Sequence, residues 1–233
     1  MTKFVRLIDQ KRCMGCRACV AACATENHFT PDAPWNVMVE YEVGSYPVVK
    51  RIYNTMNCMH CEQPSCKAAC DAVGAKAITR NAYGVVLVDY DKCIGCGYCA
   101  AVCPCGVPQL NTELKTLSPG KDKVGSENIA YADRHPTHRK KAKTVEKCTF
   151  CWHKLEAAIA DGKQDRIGKD QAYTPTCDLV CPVQARMFGD GDDPNSEVSK
   201  RIAATKAVQL KKQFGTGPQV YYVLEEGAKS LGG

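Results

Sequence analysis

The chain has 233 residues, of which 45% are hydrophobic and 24% are charged, and its formal net charge is +6. This is the composition of a folded protein with one large domain or two small ones. No apolar run approaches the roughly 18 residues of a membrane span. The odd count of 17 cysteines argues against a secreted, disulfide-bonded protein.

The N-terminal nine residues contain no apolar core, cleavage site or twin-arginine pair. We therefore expect no signal peptide and no transmembrane segment in this chain. We expect assembly in the cytoplasm and a cytoplasmic or membrane-associated location. Residence in the periplasm would require co-export with a partner that carries a signal.

Three short β-type runs each precede a group of cysteines, and two of these groups continue into alanine-rich sequence. The runs are Phe4–Ile8, Val48–Tyr53 and Val85–Val88, the last of which follows an Asn-Ala-Tyr-Gly turn signal at 81–84. Alanine favours helix. The sequence therefore predicts a repeated unit of strand, cysteine loop and short helix.

The second half of the chain alternates polar insertions with short elements. A polar segment from Leu110 to Cys148 predicts a long insertion, which is either a solvated surface loop or a docking arm for a larger subunit. After it we predict, in order, a helix at 154–161, a second polar insertion at 162–176, a turn at 189–194, a helix at 196–212 and a tail at 217–224 that closes with a strand.

Sixteen of the cysteines fall into four regularly spaced sets. The first and third sets both read C-x2-C-x2-C-x3-C and are Cys13, Cys16, Cys19, Cys23 and Cys93, Cys96, Cys99, Cys103. The second set has a wider middle gap and is Cys58, Cys61, Cys66, Cys70. In the fourth set a long segment separates the two pairs, and its members are Cys148, Cys151, Cys177, Cys181.

This spacing indicates iron–sulfur chemistry. Thiolates are the ligands of [4Fe–4S] clusters, and C-x2-C-x2-C-x3-C is the bacterial ferredoxin pattern, in which the fourth cysteine binds the other cluster of a pair. Because no set lacks a cysteine, we predict four [4Fe–4S] clusters through these sixteen cysteines and no [3Fe–4S] centre. Folding would then depend on cluster insertion.

The clusters would also change the net charge of the protein. Each ligated cluster adds roughly −2, so four clusters bring the formal +6 to about −2. The basic excess is then largely an internal counter-charge to buried anionic clusters. It is a weak indication of a polyanionic partner, and we predict no nucleic-acid binding.

Spacing identifies the sets but not how distant sets combine. The 22 residues between Cys70 and Cys93 suit a two-cluster unit made from the second and third sets, which leaves the first and fourth sets for an outer unit. The alternative is sequential pairing of the first set with the second and of the third with the fourth.

The order of the four sets resembles one large family. The resemblance rests on a Cys-Thr-Phe-Cys-Trp-His opening of the fourth set at 148–153, its Cys-Pro ending at 181–182, and the segments 188–196 and 215–222. It covers nearly the whole chain apart from the two polar insertions. The chain resembles the four-cluster electron-transfer subunits of molybdopterin oxidoreductases of the dimethyl-sulfoxide-reductase superfamily.

The resemblance implies nested pairing of the cysteine sets. In the outer unit, one cluster would be held by Cys13, Cys16, Cys19, Cys181 and the next by Cys23, Cys148, Cys151, Cys177. In the inner unit, one would be held by Cys58, Cys61, Cys66, Cys103 and the last by Cys70, Cys93, Cys96, Cys99.

It also implies an α+β fold of two nested bacterial-ferredoxin-like units with polar insertions and a C-terminal helix-strand extension. The outer unit would comprise 1–47 and 145–190, the inner unit 48–110, the insertion 111–144 and the extension 191–233. The implied partners are a large catalytic subunit, which alone carries molybdopterin, and a quinone-reactive membrane subunit or a soluble carrier. The implied role is the relay of single electrons between them.

Several residues near the ligands have more than one interpretation. We expect Cys105 to be a small buried hydrophobe beside a cluster, with a role as an alternative ligand as the minor hypothesis. His60 and His153 are expected to pack or to hydrogen-bond near a cluster, and Lys147 to offset cluster charge or to lie on the surface. Proline follows the last cysteine of only the third and fourth sets.

No catalytic apparatus is evident, because there is no G-x-G-x-x-G, Walker loop or radical-SAM triad. We therefore predict a non-catalytic subunit. Two alternatives remain. One is a free-standing polyferredoxin with no fixed partner. The other is a zinc-organised nucleic-acid module, which the x3 spacing of Cys177 and Cys181 disfavours.

Overall fold

The computed structural model describes residues 2–29, 32–113 and 129–228. The strands are β1 Phe4–Asp9, β2 Asn36–Ser45, β3 Val48–Asn57, β4 Ile78–Arg80, β5 Val86–Val88, β6 Gln109–Asn111, β7 Thr144–Glu146, β8 Arg186–Asp190, β9 Val208–Gln209 and β10 Val220–Val223. The α-helices are α1 Ala18–Asn27, α2 Ser65–Ala72, α3 Tyr98–Ala101, α4 Trp152–Ala160, α5 Thr176–Leu179 and α6 Glu197–Thr205.

A four-stranded sheet brings the two ends of the chain together. Its order is β8-β1-β10-β9, with β1 antiparallel to β8 and parallel to β10. All six residues of β1 are buried. Side chains alternate along a strand, so Val5 and Leu7 pack towards α6 while Phe4 and Ile8 enter the largest core.

The other sheets of the described residues are two-stranded and antiparallel. β2 and β3 form a hairpin of two ten-residue strands, and Tyr46 at its tip is 92% exposed. β4 pairs with β5, and β6 pairs with β7. The short strands β4, β5 and β7 supply the apolar residues of a second, smaller core.

The structure is a mixed α and β fold with small sheets, consistent with a ferredoxin-like architecture. The strands predicted at Phe4–Ile8, Val48–Tyr53 and Val85–Val88 are present as β1, β3 and β5, and the predicted turn is present with Gly84 at φ 79°. Strand β2 was not predicted from the sequence, so the hairpin is a new feature. Besides the short helices α1 and α3, the predicted helix at 154–161 is present as α4.

Two predicted boundaries near the C-terminus were wrong. The helix expected over 196–212 ends at Thr205, because Lys206 adopts a left-handed conformation at φ 50° and β9 then pairs with β10. The turn expected over 189–194 begins later, because Gly189 and Asp190 pair with β1 as the end of β8.

The polar insertion is more than a solvated loop. Residues 114–128 of it lie outside the described residues, but β6 and β7 close its base. Between 129 and 143, Thr137, His138 and Lys140 are buried. Lys140 lies 2.9 Å from the carboxylate of Glu146, which also accepts a hydrogen bond from Trp35 at 3.0 Å. This buried charge pair anchors the end of the insertion to the body.

Candidate iron–sulfur sites

All 17 cysteines lie within the described residues, and none of them forms a disulfide. In the first and third sets, the first two cysteines lie on the loops that enter α1 and α3, and the third lies in the first turn of the helix. Three thiols therefore converge at each loop, and the fourth lies about one helical turn further along. Two glycines make these loops possible. A Cβ at Gly15 would lie 2.5 Å from the Tyr53 ring, and one at Gly95 would lie 2.0 Å from the Lys143 carbonyl oxygen.

Three cavities are each lined by four of the sixteen motif cysteines, drawn from two sets. Site one is lined by Cys13, Cys16, Cys19 and Cys181. Site three is lined by Cys58, Cys61, Cys66 and Cys103. Site four is lined by Cys70, Cys93, Cys96 and Cys99. Their volumes, including the parts open to solvent, are about 350, 420 and 330 Å³ respectively.

The remaining four cysteines form a fully buried group, which we call site two. Its members are Cys23, Cys148, Cys151 and Cys177, all of them buried. They are close enough for the charges of Cys177, Cys148 and Cys151 to bear on Cys23. The Nδ2 of Asn27 lies 3.6 Å from Cys23 Sγ and 3.8 Å from Cys151 Sγ, which joins α1 to the start of α4.

The donor sets fit cage-like clusters better than single ions. Among the residues that the structure describes, no group of three or more Cys, His, Asp or Glu side chains converges closely enough to hold one metal ion. Instead, at least four thiols surround each cavity, and no carboxylate or imidazole is among its lining residues. All-thiol sets of four are the ligands that iron–sulfur clusters take, and such a cluster would supply one-electron redox chemistry.

The four sites differ in how exposed their cysteines are to solvent. Cys16 of site one and Cys96 of site four are exposed, whereas no cysteine of site two reaches solvent to that extent. Sites two and three are neighbours, because the charge of Cys148 bears on Cys58. The exposed cysteines therefore belong to the two sites that are not in this central pair.

Burial raises the pKa of three of the thiols at these sites. It raises the pKa of Cys99 and of Cys105 to about 12, with neighbouring cysteine charges adding to the effect. For Cys177, burial and Asp178 act against the charges of Arg6 and Arg186, and the pKa is about 11. These thiols would be protonated in the apo-protein, so ligation must displace protons.

A buried network of two arginines and one carboxylate lies against site two. Asp178 accepts hydrogen bonds from Arg6 at 2.7 and 2.9 Å and from Arg186 at 3.1 Å. Each guanidinium also faces Cys177 Sγ, Arg6 at 3.4 Å and Arg186 at 3.6 Å. The arginines belong to neighbouring strands β1 and β8, where Arg6 pairs with Phe188 and Arg186 with Ile8.

Site three has one buried cation and a buried imidazole. Lys147 lines the cavity, is 1% exposed and donates a hydrogen bond to the Cys148 carbonyl at 3.1 Å. His60 accepts a hydrogen bond from the Val86 N–H at 3.0 Å and stacks on Phe150. Burial and the charges of Lys147 and Arg6 hold the pKa of His60 well below its usual value, so the ring is neutral.

Site four is the apolar one. Apart from its cysteines, its cavity is lined only by Gly and aliphatic residues, including Ile78, Val88, Ile94 and Val145. Two backbone N–H groups donate to its sulfurs, Ala77 to Cys70 at 3.2 Å and Val145 to Cys93 at 3.5 Å. No charged side chain lines this cavity among the described residues.

Other residues singled out from the sequence have structural placements. Cys105 lines site three as a fifth cysteine, beside the four that share that cavity. His153 is paired with Glu26, 2.8 Å from its carboxylate, rather than turned to a sulfur.

The side chains that surround site two were not predicted from the sequence. Arg6 was assigned only to a strand, and no role was predicted for Arg186, Asn27, Asn57 or Asp178. One signal was available. Arg6 interrupts the apolar run Phe-Val-Arg-Leu-Ile of a fully buried strand, and a buried charge requires a partner.

The fold and these all-cysteine sites define an iron–sulfur electron-transfer protein of ferredoxin type. A family model described as "4Fe-4S dicluster domain" matches residues 49–121. That range spans the second and third cysteine sets.

Whole-length relatives extend the match to nearly the entire chain. The arsenate respiratory reductase iron-sulfur subunit ArrB of Shewanella sp. strain ANA-3 is 34% identical, over 96% of this chain and 97% of that protein. The menaquinone reductase iron-sulfur cluster-binding subunit of Nitratidesulfovibrio vulgaris is also 34% identical, over 95% of this chain and 88% of that protein. A selenate reductase subunit of Mesobacillus selenatarsenatis is 32% identical, over 95% of this chain and 72% of that protein.

The chain therefore belongs to the family of iron–sulfur electron-transfer subunits of molybdopterin oxidoreductases. Within the described residues, no helix combines the length and apolar character needed to cross a membrane.

Proposed function

We propose that this chain carries four [4Fe–4S] clusters, one in each of sites one to four, and relays single electrons along them. The supporting observation is that all sixteen motif cysteines fall into four groups of four, each drawing on two sets. The first and fourth sets share sites one and two, and the second and third share sites three and four. This grouping supports nested ligation, because sequential ligation would need thiols from separate cavities.

The order of transfer in this proposal runs from site one through two and three to site four, or the reverse. Site one shares Arg186 with site two, because the charges of Cys19 and Cys177 both bear on that guanidinium. Cys58 and Cys148 bring sites three and two together. The exposed Cys16 and Cys96 give sites one and four contact with solvent, so these two exchange electrons with partners.

The partners that we propose are a large molybdopterin-bearing catalytic subunit and a quinone-linked membrane subunit or soluble carrier. Support comes from the relatives' names, which include reductase subunits and a menaquinone reductase subunit. The chain itself transfers electrons and carries out no substrate chemistry, because every cluster would be fully ligated by protein thiols. No open iron site would remain for a substrate.

The first test is cluster content in anaerobically purified full-length protein. Sixteen ligands predict about sixteen iron atoms and sixteen acid-labile sulfides per chain, at four per cluster. Zinc in place of iron, or about eight irons in fully loaded protein, would contradict the four-cluster proposal. Stable co-purification with a molybdopterin-containing subunit supports the subunit role, whereas a protein that always purifies alone would indicate a free-standing polyferredoxin.

A second test addresses the ligation without cutting the chain. Cys58→Ala and Cys103→Ala would damage the same cluster, so the double variant should lose about as much iron as either single variant, roughly four atoms. Cys70→Ala combined with Cys103→Ala should lose roughly eight. Equal losses from the two double variants would refute nested ligation.

A further inference from the structure

The hydrogen bonds to sulfur are distributed unevenly among the sites. At site two, each of the four sulfurs faces a side-chain N–H donor. The Nδ2 of Asn27 faces the sulfurs of Cys23 and Cys151. The Nδ2 of Asn57 lies 3.6 Å from Cys148 Sγ. The guanidinium groups of Arg6 and Arg186 face Cys177 Sγ. Elsewhere in the described residues the N–H donors to cysteine sulfurs are backbone groups, and a hydroxyl, that of Thr216, bonds Cys61.

The donors at site two also bring net positive charge into the interior. Arg6 is 0% exposed, Arg186 5% and Asp178 6%. Two guanidinium groups and one carboxylate leave one net positive charge against Cys177. The Nη1 of Arg6 is buried with no hydrogen-bond partner among the described residues. Burying an arginine with an unbonded N–H group costs folding free energy unless an anion lies beside it.

Burial and these donors act on a cluster in opposite directions. Reduction adds one electron to an already anionic centre, and removal from solvent disfavours the added charge, as for any buried anion. Hydrogen bonds to the sulfurs and nearby positive charge stabilise the added negative charge, so they raise the reduction potential. Site two is the most buried of the four sites and has both kinds of compensation, whereas site four has an exposed cysteine and no charged lining.

We propose that the Arg6–Asp178–Arg186 network sets the reduction potential of the site-two cluster, raising it so that this buried relay accepts an electron from its neighbours. The inference depends on the proposed cluster in site two. Arg6 and Arg186 act as positioning and charge-supplying residues that touch the ligand Cys177 and not the substrate of any partner subunit. Asp178 orients both guanidinium groups and limits their net charge.

The test is an EPR-monitored redox titration of the full-length, cluster-loaded protein. Arg6→Gln removes one buried positive charge. At a fixed potential it should reduce the ratio of reduced to oxidised site-two cluster by at least tenfold, which is a 59 mV fall for one electron. Cys177→Ser identifies the signal of that cluster. Arg201→Gln is the matched control, since Arg201 is a half-exposed arginine whose guanidinium pairs with Asp9 and not with a cysteine sulfur.

Substitution of the carboxylate predicts the opposite sign. Asp178→Asn leaves both arginines and removes the negative charge, so the same cluster should become easier to reduce. Arg6→Lys keeps the charge and should shift the ratio less than Arg6→Gln. A purely structural role would not reverse sign between the arginine and aspartate variants. If Arg6→Gln fails to retain iron, Arg186→Gln measures the same downward shift.

The outcomes separate the two proposals. A wild-type iron content far below sixteen contradicts the four-cluster function itself. A full iron content with shifts below threefold in both Arg6→Gln and Arg186→Gln overturns the tuning proposal and leaves the four-cluster function standing. An equal shift in Arg201→Gln also overturns it, because surface charge would then account for the effect.

Discussion

Site two lies against a four-stranded sheet and a core rich in aromatic rings, whereas site four lies between two-stranded sheets whose strands have three residues each. Phe4, Phe150, Phe188 and Tyr222 are buried in the core that surrounds site two. The core at site four contains one aromatic ring, that of Tyr90, besides smaller side chains and the cysteines themselves. The two regions have the same type of candidate ligand, but the site-two region has more and larger buried apolar side chains.

From this difference we infer how strongly the structure of each region depends on the cluster proposed for it. Buried Leu, Phe and Tyr side chains each contribute about 1.5–3 kcal/mol by leaving water. The site-two region has many of these contacts that do not involve a cluster. The site-four region has few, so we expect its structure to depend more strongly on ligation. Substitutions in the two regions test this contrast, beginning with the largest effect.

The largest expected effect is the loss of a site-four ligand. Cys99→Ala should lose or convert one cluster, about four irons of sixteen, and expose the backbone around α2, β4 and β5 to hydrogen exchange. Cys177→Ala should lose a similar amount of iron while β1, β8 and β10 stay protected from exchange. Exchange mass spectrometry on both variants measures the contrast.

The matched control for these variants is Cys105→Ala. We expect its iron content to equal that of the wild type, with at most a small change in one cluster's potential. Iron loss equal to that of Cys99→Ala would show that Cys105 is a ligand. Equal loss of protection in the sheet and in the site-four region after Cys177→Ala would contradict the contrast between the two regions.

The next effect concerns the buried ion pair at the base of the insertion. Glu146 is 0% exposed and bonds Trp35, Asn111 and Lys140. Glu146→Gln removes the negative charge that Lys140 pairs with, and breaking a buried pair costs about 3–5 kcal/mol. We expect an anaerobic denaturant midpoint that falls accordingly, with site four affected first because Val145 lines it.

A surface ion pair provides the comparison for Glu146. Asp71 pairs with Lys67 on α2, also in the site-four region, and both side chains are more than a third exposed. Asp71→Asn should change stability by less than about 0.5 kcal/mol. A cost for Asp71→Asn as large as that for Glu146→Gln would mean that surface charge, and not burial, governs this region.

A smaller, pH-dependent effect is expected beside site two. Burial acts to raise the pKa of Glu26, but hydrogen bonds from His153 and Thr176 and the charge of Lys154 outweigh it and lower the pKa to about 2. The ionised form is therefore favoured by folding. Its stabilisation is complete above the ordinary value of 4.5 and is lost as the pH falls towards about 2.

The Glu26→Gln variant tests this linkage. We expect it to be less stable than wild type by about 2 kcal/mol at pH 7, after allowance for solvent screening, and by less at pH 4. Anaerobic unfolding of both proteins at the two pH values measures the difference. A difference that grows as the pH falls would contradict the assignment of Glu26 as the stabilising anion.

The smallest effect is expected at a helix cap far from site four. Ser196 caps α6, accepting a hydrogen bond from the Ser199 N–H at 3.2 Å. Ser196→Ala should cost about 1 kcal/mol. We expect faster hydrogen exchange in α6 and no change in the site-four region. A change in iron content would show that the C-terminal extension contributes to cluster retention.

Much of the fold and the site chemistry could be predicted from the sequence, because cysteine spacing and short apolar runs are local signals. β1, β3 and β5 follow from runs of β-branched residues, and the donor type follows from thiol chemistry. The hairpin partner β2 and the end of α6 could not be predicted in this way. Glu alternates with apolar residues in β2, and the left-handed conformation at Lys206 has no glycine to mark it.

The environment of each site was the least predictable feature. The first and third sets have the same spacing, yet Cys23 shares its site with thiols beside two arginines, and Cys99 faces aliphatic residues. Arg6 and Asp178 are 172 residues apart and meet only after β1 and β8 pair. A pattern within one segment carries no information about such partners.

The parallel pairing of β1 with β10 has a consequence for synthesis on the ribosome. Residues 4–9 cannot complete their sheet until residues 220–223 have been made. At about 5–20 residues per second, the wait is on the order of 10–40 s. The segment holding the second and third cysteine sets emerges well before then. Maturation would thus begin in the middle of the chain, and the N-terminal strand would be among the last parts to dock.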